Sequence, residues 1–574
     1  MDYRKEYEKW LNSPALSEAE RAELQAIAQD EKEIKTRFFA PLEFGTAGLR
    51  GTMCVGLHNM NRHVVRWATQ GFANVICAEG KDAMEKGIAI CMDCRNNSDA
   101  FARESACVMA ANGVKVYLFE SLRPTPELSF AVREYGCQAG INVTASHNPK
   151  EYNGYKVYWS DGAQLPPQHA DAIAKELANI AIFTGVKSMD FDTALAEGKI
   201  TMLGADCDER FMAEVMAMAN DRETVARVAD DFKLVYTPFH GCGHKLVPEA
   251  LTRLGVKHLL CVPEQMVIDG DFPTVASPNP ENPEGFALAV ELAKKNDVDF
   301  ILGTDPDSDR VGIMVRNKEG EFEVVTGNQT GVLLLDYLIG AMKRAGSLPA
   351  NAAALKTIVT TDMAKRVAEA NGLDCYDTFT GFKFMAEKMG QLEGCGKNTV
   401  IFSYEESYGY LVGHFARDKD AVTASMLLTE MAAWYHSNGM TLFDALLALY
   451  EKYGWYGEKT HNLVMPGLDG LEKMAKLMKT LRETPPAEIG GTAVAQYKDY
   501  LDGSVRGADG SVGTMELSGS NVLRFELADG TSVIVRPSGT EPKIKVYLLT
   551  RGKDAQERDE RIARYSAWVA TLSE

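Results

Sequence analysis

The chain of 574 residues has no apolar stretch of about 18 residues free of charge, so no membrane-spanning helix is expected. It is short of positive charge. Lys and Arg number 61 against 80 Asp and Glu, a formal net charge of −19. A general nucleic-acid binder needs basic surface to displace counterions, and that class is excluded. A small anionic ligand could still bind in a local basic pocket. Cys91 and Cys94 form a C-x-x-C pair, but no second pair follows, which excludes a zinc ribbon. Cys91 lies in the apolar run Gly87–Met92 and reads as a buried thiol. An odd number of cysteines, 11, scattered along the chain suggests a reducing compartment, hence a cytoplasmic protein. The start, Met1–Glu6, is charged where a secretory signal would be apolar. The P-loop G-x-x-x-x-G-K-[ST] and the nucleophile elbow G-x-S-x-G are both missing. The nearest approach to a dinucleotide fingerprint is Gly241-Cys242-Gly243, where Leu246 stands in place of the last glycine.

The composition that remains is globular: 45% hydrophobic and 25% charged. The length implies roughly four domains. Ser17 with Glu20 three residues on predicts a capping box opening a helix. From residue 86 short apolar runs alternate with amphipathic stretches. Lys86–Met92, Val114–Phe119 and Gly140–Val143 read as strands, with Ser98–Asn112 and Thr125–Gly136 as helices between them. This rhythm argues for an α/β domain with a largely parallel sheet. It recurs over Phe232–Gly303 and again over Gly331–Phe402. The last segment differs. It holds a Gly-rich zone from Gly503 to Gly519, and strands at Val522–Leu527, Ser532–Val535 and Lys543–Leu549. Asp529-Gly530 is a hairpin signal between the first two, and Ala555–Ser573 reads as a closing helix. The expected segments are 1–205, 206–320 and 321–450, each α/β, and 451–574, α+β.

Four polar clusters stand at the ends of these strands, where α/β sheets bind ligands. Thr144-Ala145-Ser146-His147-Asn148-Pro149 exposes a serine on a turn. Ser146 and His147 are neighbours in sequence, so their side chains are expected to point apart. Lys156 lies in the strand-like Asn153–Tyr158. Thr304-Asp305-Pro306-Asp307-Ser308-Asp309-Arg310 sets three carboxylates at alternate positions, which repel unless a cation sits among them. Oxygen ligands alone suit Mg²⁺ or Ca²⁺. An EF-hand fails, because its sixth position would be Arg310 and its twelfth Arg316. Open coordination sites favour Mg²⁺ shared with a phosphate. Glu405-Glu406-Ser407 between Tyr404 and Tyr408 suits hydroxyl recognition, with Glu405 and Ser407 on one face. Arg536-Pro537-Ser538-Gly539-Thr540-Glu541-Pro542-Lys543 is a possible phosphate cradle. Each cluster alone has a plainer reading as a capped or solvated turn. Jointly they provide a phosphoryl carrier, a metal site, a sugar site and a phosphate clamp.

In these four motifs, in their order, the chain resembles the α-D-phosphohexomutase family over nearly its whole length. Phe44-Gly45-Thr46-Ala47-Gly48-Leu49-Arg50-Gly51 is similar to the family's N-terminal signature. The resemblance implies four domains around a central cleft, three of them related α/β units with mixed sheets and the last α+β. It implies a phosphoserine at Ser146, with Arg50 and His147 nearby, Lys156 as general acid and base, and Arg310 closing the metal loop. Mg²⁺ would be held by Asp305, Asp307, Asp309 and phosphorylated Ser146. Burial beside Arg310 is expected to lower the Lys156 pKa. Glu405, Ser407, Lys383, Arg417 and Lys419 would contact substrate, and Arg536, Ser538, Gly539, Thr540 and Lys543 would hold its phosphate. Many family members carry Gly where this chain has Pro306, Ser308, Tyr404 and Tyr408. Thr380-Gly381-Phe382-Lys383 resembles the branch of longer phosphoglucomutases that includes phosphopentomutases and glucose-1,6-bisphosphate synthases. The implied reaction interconverts glucose 1-phosphate and glucose 6-phosphate, with glucose 1,6-bisphosphate as activator. Phosphomannomutase and phosphopentomutase activities are the alternatives. The implied partners are sugar phosphates, with no nucleic acid and no membrane, and the implied assembly is a monomer or homodimer. A Mg²⁺-dependent sugar phosphatase and a sugar-phosphate sensor are the rivals from other classes.

Overall fold

The computed structural model describes residues 2–45, 48–465, 470–538 and 543–572, which form two compact units. One comprises residues 1–327 with 407–441, the other 328–406 with 442–574.

The first unit contains two sheets. In one, the strands run in the order Leu49–Thr52, Tyr152–Trp159, Ala139–Val143, Ile88–Met92, Val116–Phe119, Ile200–Leu203. The last four are mutually parallel, while Tyr152–Trp159 runs antiparallel to both of its neighbours, Leu49–Thr52 and Ala139–Val143. Ala139–Val143 and Ile88–Met92 are buried at every position. Helices cover both of their faces, so their sequences run apolar instead of alternating. Cys91 is fully buried there and burial pushes its thiol up. The second sheet is ordered Phe322–Val325, Val311–Arg316, Phe300–Thr304, Lys233–Thr237, His258–Cys261. Val311–Arg316 is antiparallel to both neighbours and the remaining pairs are parallel. Both sheets are therefore mixed, where the sequence rhythm pointed to largely parallel ones. The short connections before Tyr152 and Val311 return the chain as hairpins, without a crossover helix. At the N-terminus the Ser17–Glu20 capping box is present and opens the helix Glu18–Ala26.

The second unit pairs Ala352–Thr357 in parallel with Asp374–Thr378 and Thr399–Glu405. Its terminal part is an antiparallel sheet in the order Trp455–Val464, Lys543–Gly552, Ser532–Pro537, Leu523–Leu527, Thr492–Asp499, Ser504–Gly507, Val512–Thr514. Helices Gly470–Glu483 and Ala555–Thr571 flank this sheet. Met478, Leu481 and Tyr565 from these helices share one buried cluster with Ile489, Phe525, Val533 and Val546. The Asp529-Gly530 hairpin forms, with Gly530 at φ 84°. Its neighbour was missed in the sequence: within the Gly-rich zone, Asp509-Gly510 turns a second hairpin between Ser504–Gly507 and Val512–Thr514.

Candidate active site

In the first unit, the strand Ala139–Val143 leads into the turn Thr144–Pro149, buried from Thr144 to Ser146 and exposed at Pro149. Ser146 sits at φ 52° and is 5% exposed. Its Oγ donates to Asp305 Oδ2 at 2.9 Å and lies 3.3 Å from His147 Nδ1. The expectation that Ser146 and His147 point apart is therefore corrected. The left-handed backbone at Ser146 breaks the alternation of side chains and brings the two together. Burial, then Arg310, hold the His147 ring well below the usual imidazole range. Arg50 reaches the same turn, with Nη1 donating to Asn148 Oδ1 at 3.2 Å. Thr46 and Ala47 of the N-terminal signature lie outside the described residues.

The strand Phe300–Thr304 leads into the acidic loop. Asp305, Asp307 and Asp309 are all buried and each offers an oxygen within 4.8 Å of the other two. Asp305 Oδ1 accepts the Asp309 and Arg310 N–H groups at 3.1 and 3.0 Å. Burial, then Asp307 and Asp309, push the Asp305 carboxyl far up. For Asp309 burial acts upward, but Lys419, Lys156 and Arg310 prevail and hold it down. Asp307 Oδ1 and Asp309 Oδ1 are buried and accept no hydrogen bond. Hard oxygens crowded together with unused lone pairs fit a divalent cation. The Arg310 side chain lies 3.6 Å from Glu281 and 3.8 Å from Asp309.

Gly241 and Gly243, the near-miss glycines, back this loop. A Cβ on Gly241 would come within 2.5 Å of Pro306 Cα, and one on Gly243 within 2.9 Å of Ser308 Oγ. Close approach of backbone to the acidic loop explains Gly241, and the Tyr236 hydroxyl, Thr304 and Ser308 crowd Gly243.

Lys156 lies on Tyr152–Trp159, with Nζ 2.7 Å from Asp307 Oδ2 and 3.3 Å from Asp309 Oδ2. The expected lowering of its pKa does not hold. Burial acts downward, but Asp307 and Asp309 outweigh it and hold the ammonium protonated above its ordinary range. Lys419 Nζ is 3.2 Å from Asp309 Oδ2 and 3.1 Å from Asp418 Oδ1. The Arg417 N–H donates to Ser129 Oγ at 2.8 Å, and its Nη1 to the His414 carbonyl at 3.0 Å. Ser407 is half-buried and belongs to this unit.

The second unit holds the other candidates. Glu405 Oε1 accepts the Gly381 N–H at 2.9 Å, at the start of the helix Phe382–Gly394. Glu406 Oε2 accepts both Thr357 Oγ1 and Thr360 Oγ1 at 3.1 Å. Burial lowers the Lys383 pKa on that same helix. The Tyr547 hydroxyl is pushed up to about 12 by burial, then by Glu406, against the opposing charge of Arg536. The Ser538 N–H donates to the Lys543 carbonyl at 2.8 Å, closing the base of the clamp. Gly539 and Thr540, expected to hold phosphate, lie outside the described residues. A cavity of about 360 Å³ opens on Arg536 and Ser538, walled by Met474 and Met478.

Four family models match the chain, described as phosphoglucomutase/phosphomannomutase alpha/beta/alpha domain I over residues 41–182, domain II over 209–320, domain III over 326–453, and the C-terminal domain over 465–564. The chain belongs to the phosphoglucomutase/phosphomannomutase family. It is a phosphohexomutase, an isomerase-type phosphotransferase. A phosphoglucomutase of Staphylococcus saprophyticus is 34% identical over 530 residues, covering 92% of this chain and 94% of that protein. Among solved structures, the Paramecium phosphoprotein parafusin, a phosphoglucomutase in an open form, superposes with a TM-score of 0.66 at 20% identity over 93% of this chain and 94% of that one. An Aspergillus fumigatus N-acetylphosphoglucosamine mutase in complex with GlcNAc-6P and magnesium gives a TM-score of 0.52 at 13% identity over 97% of this chain and 100% of that one.

Sequence reasoning missed several residues of this phosphohexomutase site. Thr125 Oγ1 donates to Asp307 Oδ2 at 2.8 Å and accepts from Asn142 Nδ2 at 2.8 Å. The one available signal was an asparagine inside the otherwise apolar Gly140–Val143. Asp418 accepts from Tyr158 Oη at 2.9 Å and from Gln164 Nε2 at 3.2 Å, and pairs with Lys419. It sits between Arg417 and Lys419, both of which the resemblance marked as substrate contacts while leaving Asp418 out.

Proposed function

We propose that the chain interconverts glucose 1-phosphate and glucose 6-phosphate, with Ser146 as the phosphoryl carrier. The observation that carries this reading is Ser146 Oγ at 2.9 Å from Asp305, beside two further buried carboxylates and the Lys156 ammonium. A serine hydroxyl in a phosphate-free hydrolytic triad would lack this acidic facing group.

Asp305, Asp307 and Asp309 would hold Mg²⁺, together with an oxygen of phosphorylated Ser146. Magnesium in the Aspergillus relative supports the choice of ion. When bound, such an ion withdraws charge from the phosphoryl oxygens and offsets the repulsion among the carboxylates. The bond from phosphorus to Ser146 Oγ breaks as a bond to a sugar hydroxyl oxygen forms. The hydroxyl gives up its proton and Ser146 Oγ gains one, so the step is balanced. Lys156 and His147 are the nitrogens placed to move that proton, and Arg50 and Arg310 to steady the charge. The resulting bisphosphate turns over and returns its other phosphate to Ser146. Glu405, Ser407, Lys383, Arg417 and Lys419 would hold the sugar and its charges in either orientation. Arg536, Ser538, Gly539, Thr540 and Lys543 would bind the phosphate that is not transferred.

Glucose 1,6-bisphosphate would serve as activator by phosphorylating Ser146. The segments 1–205, 206–320, 321–450 and 451–574 would act as four domains of a cytoplasmic monomer or homodimer. All the cysteines are free thiols, which supports a reducing compartment.

A coupled assay with Mg²⁺ and a trace of glucose 1,6-bisphosphate tests the reading. Glucose 1-phosphate, mannose 1-phosphate and ribose 1-phosphate are compared by kcat/KM. Preference for glucose 1-phosphate is expected. Preference for mannose or ribose would reassign the substrate, and release of inorganic phosphate without isomerisation would make the chain a phosphatase.

A further inference from the structure

Ser146 is held at both ends of its own residue by groups that cannot reach a substrate. The strand Ile88–Met92 ends in Asp93-Cys94-Arg95, and the side chains of Asp93 and Arg95 are completely buried, 3.3 Å apart. Arg95 Nη2 donates to the Ser146 carbonyl at 2.6 Å and also to the Asn148 carbonyl. Its Nη1 donates to the carbonyls of Pro149 at 2.8 Å and Tyr152 at 3.0 Å. The Phe272 ring lies under the guanidinium, 5.1 Å from its centroid. On the other side, the Ser146 N–H donates to Thr144 Oγ1 at 2.8 Å, and Thr144 Oγ1 donates to Asp93 Oδ2 at 2.6 Å. Asp93 Oδ1 is itself fixed, accepting from Ser98 Oγ at 2.7 Å and from the Arg95 N–H at 2.9 Å.

We infer that Asp93, Thr144 and Arg95 form a positioning device that keeps Ser146 in its left-handed conformation and so aims its Oγ at Asp305. The inference rests on the reading that Ser146 carries the phosphoryl group. A residue with a side chain settles at φ 52° only where its surroundings hold it there. Here the N–H is fixed through Thr144 to Asp93 and the carbonyl through Arg95, so rotation about the bond between them is restricted from both sides. The guanidinium suits the task because its planar fork serves four carbonyls at once, which an ammonium cannot do. The two arms are tied together through the Asp93–Arg95 pair. Phosphorylation and dephosphorylation of Oγ would then leave the backbone of the turn in place.

The test uses the full chain with Thr144→Val, Thr144→Ser and Arg95→Lys. Four quantities are measured: the rate at which glucose 1,6-bisphosphate phosphorylates Ser146, by mass spectrometry; kcat; KM for glucose 1-phosphate; and the melting temperature. A misplacement of about 1 Å at a reacting atom costs about 100-fold in rate. Thr144→Val and Arg95→Lys are expected to lower both kcat and the phosphorylation rate by about that factor, with KM within about threefold of wild type. Thr144→Ser keeps the hydroxyl and is expected to restore the rate. A folded Thr144→Val variant with wild-type rates would overturn the inference, as would equal losses in Thr144→Ser and Thr144→Val. If Arg95→Lys does not fold, the two Thr144 variants decide alone. Wild-type chain that is never phosphorylated on Ser146 would instead remove the reading on which the inference rests.

Discussion

Each unit contains a cluster of basic side chains and aspartates, and the carboxylates of the two clusters are satisfied to different degrees. In the second unit Lys356 Nζ pairs with Asp377 at 2.8 Å and Asp362 at 3.2 Å, and donates to the carbonyls of Thr357 and Thr360. Arg524 completes Asp362 at 3.0 Å and also donates to Ser532 Oγ. In the first unit Lys156 and Lys419 face Asp307 and Asp309, yet one oxygen of each carboxylate stays buried without a donor. Composition does not separate the clusters. The difference lies in unused lone pairs, which are costly to bury and are retained where a ligand completes them. Lys356 therefore ties together the elements around it, whereas the aspartate triad offers free oxygens that fit a metal ion.

That contrast can be broken from either side. The largest expected effect is Ser146→Ala, which removes the oxygen proposed to carry the phosphoryl group. Turnover should fall by at least about 10³-fold with the melting temperature unchanged. Activity close to wild type in this variant would take Ser146 out of the mechanism. Next comes Lys356→Met in the second unit, which strands Asp362 and Asp377 and should cost about 2–4 kcal/mol in denaturant unfolding. The value sits at the low end for a buried pair because both aspartates keep about a third of their side chains exposed. KM and kcat of the remaining folded fraction should be unaltered, and a rate loss without destabilisation would refute the structural assignment. Asp307→Asn in the first unit should do the reverse. Metal affinity and kcat should drop by about 10–100-fold, partly recovered by raising Mg²⁺, while the melting temperature without metal stays level or rises. Cooperative unfolding of Asp307→Asn would give the triad a structural role after all.

The sequence was most readable where one chemistry fills one element. Largely apolar runs located Ile88–Met92 and Ala139–Val143 to within one or two residues, and the strand Phe300–Thr304 led into the acidic triplet as its spacing implied. It was least readable where function depends on residues far apart in the chain. Thr125 meets Asp307 across 182 positions, and Asp418 meets Tyr158 across 260. Nothing local marks either one. The sign of the Lys156 shift failed for a related reason. Arg310 follows the triplet in sequence, but in the fold the carboxylates are the charges that touch Lys156. The Gly-rich zone hid a hairpin because Gly510, which reads as a flexible residue, supplies the positive φ of a tight turn.

Acid should separate the two units with the smallest but most selective effect. In the second unit Glu458, on Trp455–Val464, is raised to about 7, by burial first and then by Asp362, against a hydrogen bond from Thr361. Its folded pKa is above the ordinary 4.5, so the folded state takes up the proton first, and this unit gains stability as pH falls from about 7 to 4.5. In the first unit His63 is lowered to about 4, by burial against the attraction of Glu20. There the unfolded chain takes the proton first, so the His63 contribution falls as pH drops from 6.5 to about 4, while Asp420, raised to about 6 by burial, contributes in the opposite sense. Glu20 adds to the loss below 4.5, since Arg62 and Ser17 overcome its burial and hold it near 2. Hydrogen exchange should show protection rising at the strand Trp455–Val464 of the second unit and falling at the helix Arg62–Ala78, which carries His63, between pH 7 and 5. Glu458→Gln should flatten the second unit's slope, a change on the order of 1 kcal/mol once partial exposure is discounted. If the slope persists in Glu458→Gln, another group governs the second unit. If both units lose protection together, the opposition between them is wrong, and the His63–Glu20 pair near the N-terminus dominates the acid response of the whole chain.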